Sequence, residues 1–510
     1  MMVNMNPRDD QTTLRPTKTG GRKTDTPDIA LTLLHHPDHR RVGERVRFPA
    51  GQQLDISRLE PIFRTPRGAI IGPLDDPFLS RTPIHMSTTP QGSVSLRGRR
   101  GGWSVDGVGQ DEGVFLGTGR VEGGVVIGLG DRVVLLLHRC PALNVANARH
   151  GLVGDSAALE DVRRNIDRVA SQDVPVLVRG ETGVGKEIVA SAIHRASDRS
   201  AGPFVAVNMA ALSASTAASE LFGHVRGAFT GADRANAGLF GRADGGTLFL
   251  DEIGETASEI QPLLLRALES GEIQPVGGAP RRVDVRVVTA TDLPLEDAVA
   301  SGKFRSTLYH RLAGWTIDIS PLRERKDDLG VLLLHFLRES LKELGSERRL
   351  APTYDAESPW LSAGVVAALA AYKWPGNVRE LRQLSREMAT RHHDRDEAEV
   401  PRVLAMPTPT AAPPRTRAKK TEHVDGARVA EVLEKHQYRL GPTALELKIA
   451  RNTLYSIIEK TPGLRTARDL DAGQITEAIA ASTDIDSAAA NLRVSTRGLR
   501  LRMTALGIDR

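Results

Sequence analysis

Cysteine is nearly missing from this chain of 510 residues, which holds one, Cys140. A single thiol excludes an intrachain disulfide and a cysteine-based zinc site, and cytoplasmic location is the expectation. Long apolar runs are missing as well. The longest stretches, such as Val133 to Leu137 and Leu248 to Leu250, fall far short of the roughly 18 apolar residues of a membrane span, so no membrane partner is expected. Residues 1–26 mix Arg, Lys, Thr, Asp and Pro without the apolar run of a signal peptide and read as a disordered tail. Nor is there a large excess of one charge: Lys plus Arg number 68 against 63 Asp plus Glu, a net +5. So small a surplus does not by itself point to nucleic acid, and local clustering of basic residues has to decide that question.

With about 100 to 200 residues per domain, three or four folded units are expected. In residues 27–141, short apolar runs such as IALTLLHH, RVRF, GAIIG, SVSLRG, GVFLG, GVVIG and RVVLLLH are punctuated by Gly, Pro and Asp. These are strand signals without sustained helical spacing, and they predict a small all-β sandwich. From Gly151 the pattern changes. Leu159, Val162, Ile166 and Val169 recur at helical spacing, and the runs VPVLVRG, PFVAVN, TLFLD and VDVRVVTAT alternate with helical segments. Such alternation predicts an α/β unit with a parallel sheet over 151–320, followed by a helical subdomain over 321–398 with helices at Leu329 to Leu344 and Val365 to Tyr372. Residues 399–422, with Pro401, Pro407, Pro409, Pro413 and Pro414 before Arg415, Arg417, Lys419 and Lys420, read as a stiff basic linker. The last segment, 423–510, repeats itself after about 45 residues. Ala444, Leu447, Ile449 and Leu454 match Ala489, Leu492, Val494 and Leu499.

Gly180, Glu181, Thr182, Gly183, Val184, Gly185 and Lys186 form a G-x-x-x-x-G-K phosphate loop between a strand and a helix. Glycines let backbone N–H groups close around phosphates, and the lysine reaches the β and γ oxygens. Glu187 follows, where a hydroxyl would ordinarily meet Mg²⁺. Asp251 and Glu252 end the strand TLFLD, at the edge where open α/β sheets bind ligands. Alone, such a pair is more often a helix cap. Paired with a phosphate loop, Asp251 suits Mg²⁺ coordination and Glu252 suits polarising the attacking water, which points to ATP hydrolysis.

Together these strings resemble the bacterial enhancer-binding proteins, AAA+ ATPases that activate sigma-54 RNA polymerase. The resemblance runs from Gly151 to about Asp394 through GETGVGKE, ELFGHVRGAFTGA, GGTLFLDEIGE, FRSTLYHRL, PLRER and WPGNVREL. It implies an acidic residue as the normal occupant at Glu187, a γ-phosphate switch at Asn208, fingers reaching a neighbouring subunit's nucleotide at Arg305 and Arg311, and a lid sensor at Arg379. It implies self-association into a ring, a hexamer, and a sigma-54 contact at Gly227, Ala228, Phe229, Thr230, Gly231 and Ala232, with 271–278 as a second pore-side loop. On residue chemistry alone, an isolated Phe229 folds back on the core. Two positions depart from the family: Ser306 and Thr307 replace an acidic-aliphatic pair, and Asp292 stands where the first sensor is usually Asn.

Both C-terminal copies resemble the Fis-type helix-turn-helix, which implies double-stranded DNA as partner. Second helices are expected at 452–460 and 496–503, with Arg451, Asn452 and Tyr455 and then Arg497, Arg500 and Arg502 near DNA. A charged helical bundle for dimerisation is the other reading. The N-terminal β region weakly resembles a forkhead-associated domain. Ser80 and Arg81 match its phosphopeptide positions while Pro83 replaces its histidine, so a degenerate sensor with a protein or phosphoprotein partner is expected. The function these features imply is an ATP-dependent activator that binds DNA upstream of promoters and remodels sigma-54 holoenzyme. A nucleotide-switched DNA-binding regulator that never contacts sigma-54 is the alternative.

Overall fold

The computed structural model describes residues 28–141, 149–352 and 359–399, apart from 112, 231 and 396, and parts of 426–508. The chain divides into two units, Met1–Thr408 and Pro409–Arg510.

The first unit opens with twelve described strands: β1 (Ile29–His35), β2 (Arg45–Phe48), β3 (Gln53–Ile56), β4 (Phe63–Arg64), β5 (Ile70–Gly72), β6 (Ile84–Thr88), β7 (Val94–Arg97), β8 (Trp103–Val105), β9 (Val108–Gly109), β10 (Val114–Leu116), β11 (Val125–Leu129) and β12 (Val133–Arg139). They form a β5-β4-β2-β1-β12-β11-β8-β9 sheet and a β10-β7-β6-β3 sheet, and every pairing is antiparallel. Strands β3, β4, β6, β8 and β9 and the short helix α1 (Thr118–Glu122) add to the runs read from sequence. The expected sandwich is present, with one difference. Ile29, Leu31 and Leu33 of β1, Val133, Leu135 and Leu137 of β12, and Val125 and Ile127 of β11 fill the space between the sheets. Their alternates Leu34, Val134, Leu136 and Val126 join a second core that belongs to the helical lid. Period-two alternation therefore holds, but both faces are apolar because both are covered. At about 1.5–3 kcal/mol per fully buried aliphatic side chain, this joint packs the sandwich and the ATPase into one compact unit.

Helices and strands then alternate: α2 (Ala157–Val169), β13 (Val176–Arg179), α3 (Lys186–Ala196), β14 (Phe204–Asn208), α4 (Ala214–Phe222), α5 (Gly238–Arg242), β15 (Thr247–Asp251), α6 (Gln261–Ser270), β16 (Glu272–Ile273), β17 (Arg281–Arg282), β18 (Arg286–Thr291), α7 (Leu295–Ala300), α8 (Ser306–Leu312) and β19 (Trp315–Asp318). Five strands form a parallel sheet ordered β14-β15-β18-β13-β19. Its central strands β13, β15 and β18 are buried on both sides, and their parallel pairing brings their C-terminal ends together at one edge. The lid follows as α9 (Leu329–Glu343), α10 (Ala363–Ala371) and α11 (Asn377–His392).

In the second unit the described helices are α12 (Gly426–Lys435), α13 (Ala472–Ala480) and α14 (Ile485–Asn491). Leu454 and Ile458 pack with Val429 and Leu433, while Leu499 and Met503 pack with Leu470, Ile475 and Ala489. Each copy of the repeat thus has its own small apolar core. Asp471 and Gln474 close a capping box at the start of α13.

Candidate active site

The phosphate loop leaves β13 and turns into α3 with Gly185 at φ 109° as its N-cap. Lys186 is buried, and its Nζ donates to the Gly180 carbonyl at 3.0 Å and lies 3.5 Å from Glu252 Oε1. Asp251 ends β15, its Oδ1 accepting from the Glu252 N–H at 3.0 Å. Glu252 itself sits in the left-handed region at φ 53°. Thr182 Oγ1 donates to Asp292 Oδ2 at 2.6 Å, and Asp292 lies beside Glu252. Burial holds the Glu252 carboxyl above its usual range, opposed by Lys186 and reinforced by Asp292. Burial also pushes Asp292 up, but the bond from Thr182 and the neighbouring Glu252 outweigh it and hold that carboxyl low.

Thr182, Lys186, Asp251 and Glu252 face a cavity of about 370 Å³, within the usual range for small-molecule sites. The lid supplies the opposite wall through Leu332, His335 and Phe336 of α9 and Arg379 and Arg382 of α11. Loop and lid also touch directly. A Cβ on Gly183 (φ +81°) would lie 2.3 Å from the Gly376 carbonyl oxygen, and the Arg379 N–H donates to the Gly183 carbonyl at 3.2 Å. Asn377, fully buried, donates through Nδ2 to Glu181 Oε2 and the Thr182 carbonyl, both at 3.1 Å. Its Oδ1 accepts from the Leu322 N–H at 2.8 Å. Arg323 adds a two-pronged ion pair to Glu181 at 2.6 and 2.7 Å, which holds that carboxyl below its usual range. Asn377, Glu181 and Arg323 form a latch; motif reading named Glu181 as a loop residue but did not single out Arg323 and Asn377, although they lie inside PLRER and WPGNVREL.

Asn208 ends β14 beside Asp251, its Oδ1 accepting from the Ala210 N–H. Arg305 and Arg311 are exposed on or next to α8 and do not line the cavity of their own chain. The Arg311 guanidinium donates to the Leu268 carbonyl at 2.8 and 3.0 Å. Phe229 is 48% exposed at the tip of its loop. Its ring meets His224 edge-on at 5.0 Å, and the Gly227 N–H donates to the Ala232 carbonyl across the base. Gly231 lies outside the described residues. The loop is backed by the second one, since Val225 N–H donates to the Val276 carbonyl and Val276 N–H to the Gly223 carbonyl. His224, fixed by Ser219 Oγ at 2.7 Å, is a further member of this surface. Ser80 and Arg81 are exposed between β5 and β6, with Ser80 Oγ accepting from the Thr82 N–H. Of the expected DNA-facing residues, Arg451, Asn452, Tyr455, Arg497 and Arg500 lie outside the described residues, and Arg502 Nε donates to the Leu470 carbonyl.

Among the described residues no cluster of three or more His, Cys, Asp or Glu side chains is built for a metal ion. Mg²⁺ is ordinarily held by one or two carboxylates with phosphate oxygens and water. Asp251 and Glu252, hard oxygen donors at the strand edge beside Lys186, fit it. Among the described residues no helix is long and apolar enough to cross a membrane.

Residues 152–318 match the model of the Sigma-54 interaction domain and 323–413 that of the AAA+ ATPase lid domain. The chain is 46% identical over 280 residues to the nitric oxide reductase transcription regulator NorR2 of Cupriavidus necator, covering 54% of this chain and 51% of that protein. It is 47% identical over 236 residues to the DNA-binding transcriptional regulator NtrC of Escherichia coli K12, covering 46% and 48%. Among solved structures, NtrX from Brucella abortus in complex with ATP is 30% identical, with a TM-score of 0.45 over 61% of this chain and 69% of that one. The chain spans about half the length of the curated relatives it matches. Its phosphate loop, strand-end carboxylates and lid therefore make up an AAA+ P-loop ATPase module of the sigma-54 activator type, shared with the NtrC and NorR regulators.

Proposed function

We propose that this protein is an ATP-dependent transcriptional activator that binds DNA upstream of promoters and uses ATP hydrolysis to remodel sigma-54 RNA polymerase. The observation that carries this reading is Phe229, half exposed on a loop braced from behind by 271–278. An apolar ring held out on a stiff loop is a contact for another molecule, since an isolated phenylalanine gains by returning to the core. Lys186 and the loop N–H groups bind the β and γ phosphates. Glu252 orients water and accepts its proton. Asp251 would hold Mg²⁺, which when bound neutralises charge on the phosphate oxygens. Asn208 beside Asp251 senses the γ-phosphate. Arg305 and Arg311, outside their own cavity, serve a neighbouring subunit in a hexameric ring, and Arg379 reports from the lid. The two small cores of the C-terminal unit support tandem helix-turn-helix folds on double-stranded DNA.

Phe229→Ala is expected to keep ATPase activity within about threefold of the unaltered protein, because Phe229 lies outside the nucleotide cavity. In transcription from a sigma-54 promoter with purified holoenzyme, it is expected to yield no open complex. Full transcription by this variant would leave the nucleotide-switched regulator as the better reading.

A further inference from the structure

Helix α9 is held from two sides. Toward the nucleotide cavity it presents Leu332, His335 and Phe336. Near its N-terminus its backbone rests on the N-terminal sandwich. A Cβ on Gly330 would lie 2.3 Å from the Leu34 carbonyl oxygen and 2.8 Å from Val42 Cγ1, so no side chain fits there. The approach is mutual, because a Cβ on Gly43 (φ +93°) would lie 2.9 Å from Val331 Cγ2. Around this point Leu34, Val134 and Leu136 share one apolar core with Leu333, Leu334 and Leu337. Polar ties flank it. His39 Nδ1 pairs with the Leu350 carbonyl at 3.2 Å, and Lys326 Nζ donates to the Gly124 carbonyl at 3.5 Å. On the sheet side of the junction, Arg45 Nη2 donates to the Asp155 carbonyl at 2.9 Å. The sandwich thus grips both the lid and the start of the α/β subdomain.

We infer that the N-terminal sandwich is the seat of the lid helix and that Gly330 is a positioning residue for ATP, acting through α9. Close-packed interiors transmit displacements and do not absorb them. A methyl group at position 330 meets the Leu34 carbonyl near the end of β1, so α9 has to lift, and its cavity-facing side chains lift with it. Those side chains belong to the lid and not to the loop and strand-end groups assigned to the chemistry. Their contacts are made equally in the ground and transition states, so their loss raises KM and spares kcat. By linkage, a partner that loosens the sandwich from α9 weakens ATP binding by the same factor that ATP weakens that partner. The inference rests on the cavity being the ATP site.

The test uses the full chain with Gly330→Ala, measuring steady-state ATPase kinetics, binding of a fluorescent ATP analogue and hydrogen exchange. The expected result is a KM raised about fivefold or more with kcat within about twofold, together with faster exchange in α9 while β11 and β12 stay protected. Unchanged KM, or a fall in kcat alone, overturns the inference. Should Gly330→Ala not fold, Leu136→Ala loosens the same core from the sandwich side, and its KM has to rise likewise; an unchanged KM there is equally fatal. Failure of the unaltered protein to bind the analogue would instead defeat the ATP reading of the cavity.

Discussion

Lys186 and Glu252 stand 3.5 Å apart, yet their loss should be felt at different steps. Lys186→Ala removes the charge that meets the phosphates and is expected to abolish ATP binding by calorimetry. Glu252→Gln keeps the shape and the hydrogen bonding of the site but removes the base. It is expected to bind ATP normally while turnover falls by about 10²-fold or more; hydrolysis at the unaltered rate would assign the base elsewhere. Both residues are legible in sequence because phosphate chemistry demands them at fixed spacing after a strand. Asp292 is legible only as a departure from the family pattern. Its bond to Thr182 at 2.6 Å joins segments 110 positions apart, and no local pattern encodes that.

The start of α11 is where the lid takes hold of the phosphate loop. Asn377 occupies the left-handed region at φ 53°, which asparagine tolerates better than most residues, and its side chain satisfies three groups on two other segments. Asn377→Ala leaves the Leu322 N–H without its acceptor and frees Glu181 from the latch. The expected loss is about 2–4 kcal/mol in denaturant titrations, with a raised KM for ATP. A variant of unaltered stability would mean that water replaces the amide. Among the strands, those with long apolar runs were legible, whereas β3 (QLDI) and β6 (IHMST) were not, because polar residues on their open face dilute the signal. The runs of β1 and β12 were legible as strands but silent about what covers their second face. A sequence shows that a surface is apolar and does not show which neighbour buries it.

Four histidines lie buried in or beside the sandwich. His36 and His138 are held down to about 4, chiefly by burial, with Arg41 acting on the first and Arg45 on the second. Burial likewise lowers His35 and His39. In the unfolded chain these groups titrate near 6.5, so between roughly pH 6.5 and 4 the unfolded state binds more protons than the folded one. Stability is therefore full above about pH 6.5 and drains away as pH falls, by on the order of 3 kcal/mol for His138 alone. Scanning calorimetry should show a melting temperature lower by about 5 °C or more at pH 5 than at pH 7, and His138→Gln should flatten part of that slope. A melting temperature independent of pH over this interval would show that the histidines are solvated.

The two-faced burial of β1, β11 and β12 also bears on inheritance. Regulators assembled from modules are commonly imagined to trade their N-terminal halves at the connecting segment, here between Pro141 and Arg149. In this chain such an exchange would strip Leu333, Leu334 and Leu337 of the strands that cover them. An incoming domain succeeds only if it brings a sheet whose outer face is already leucine-rich and whose edge carbonyl meets a bare glycine. The two halves are expected to descend together, with substitutions on either side of that seam constrained by the other.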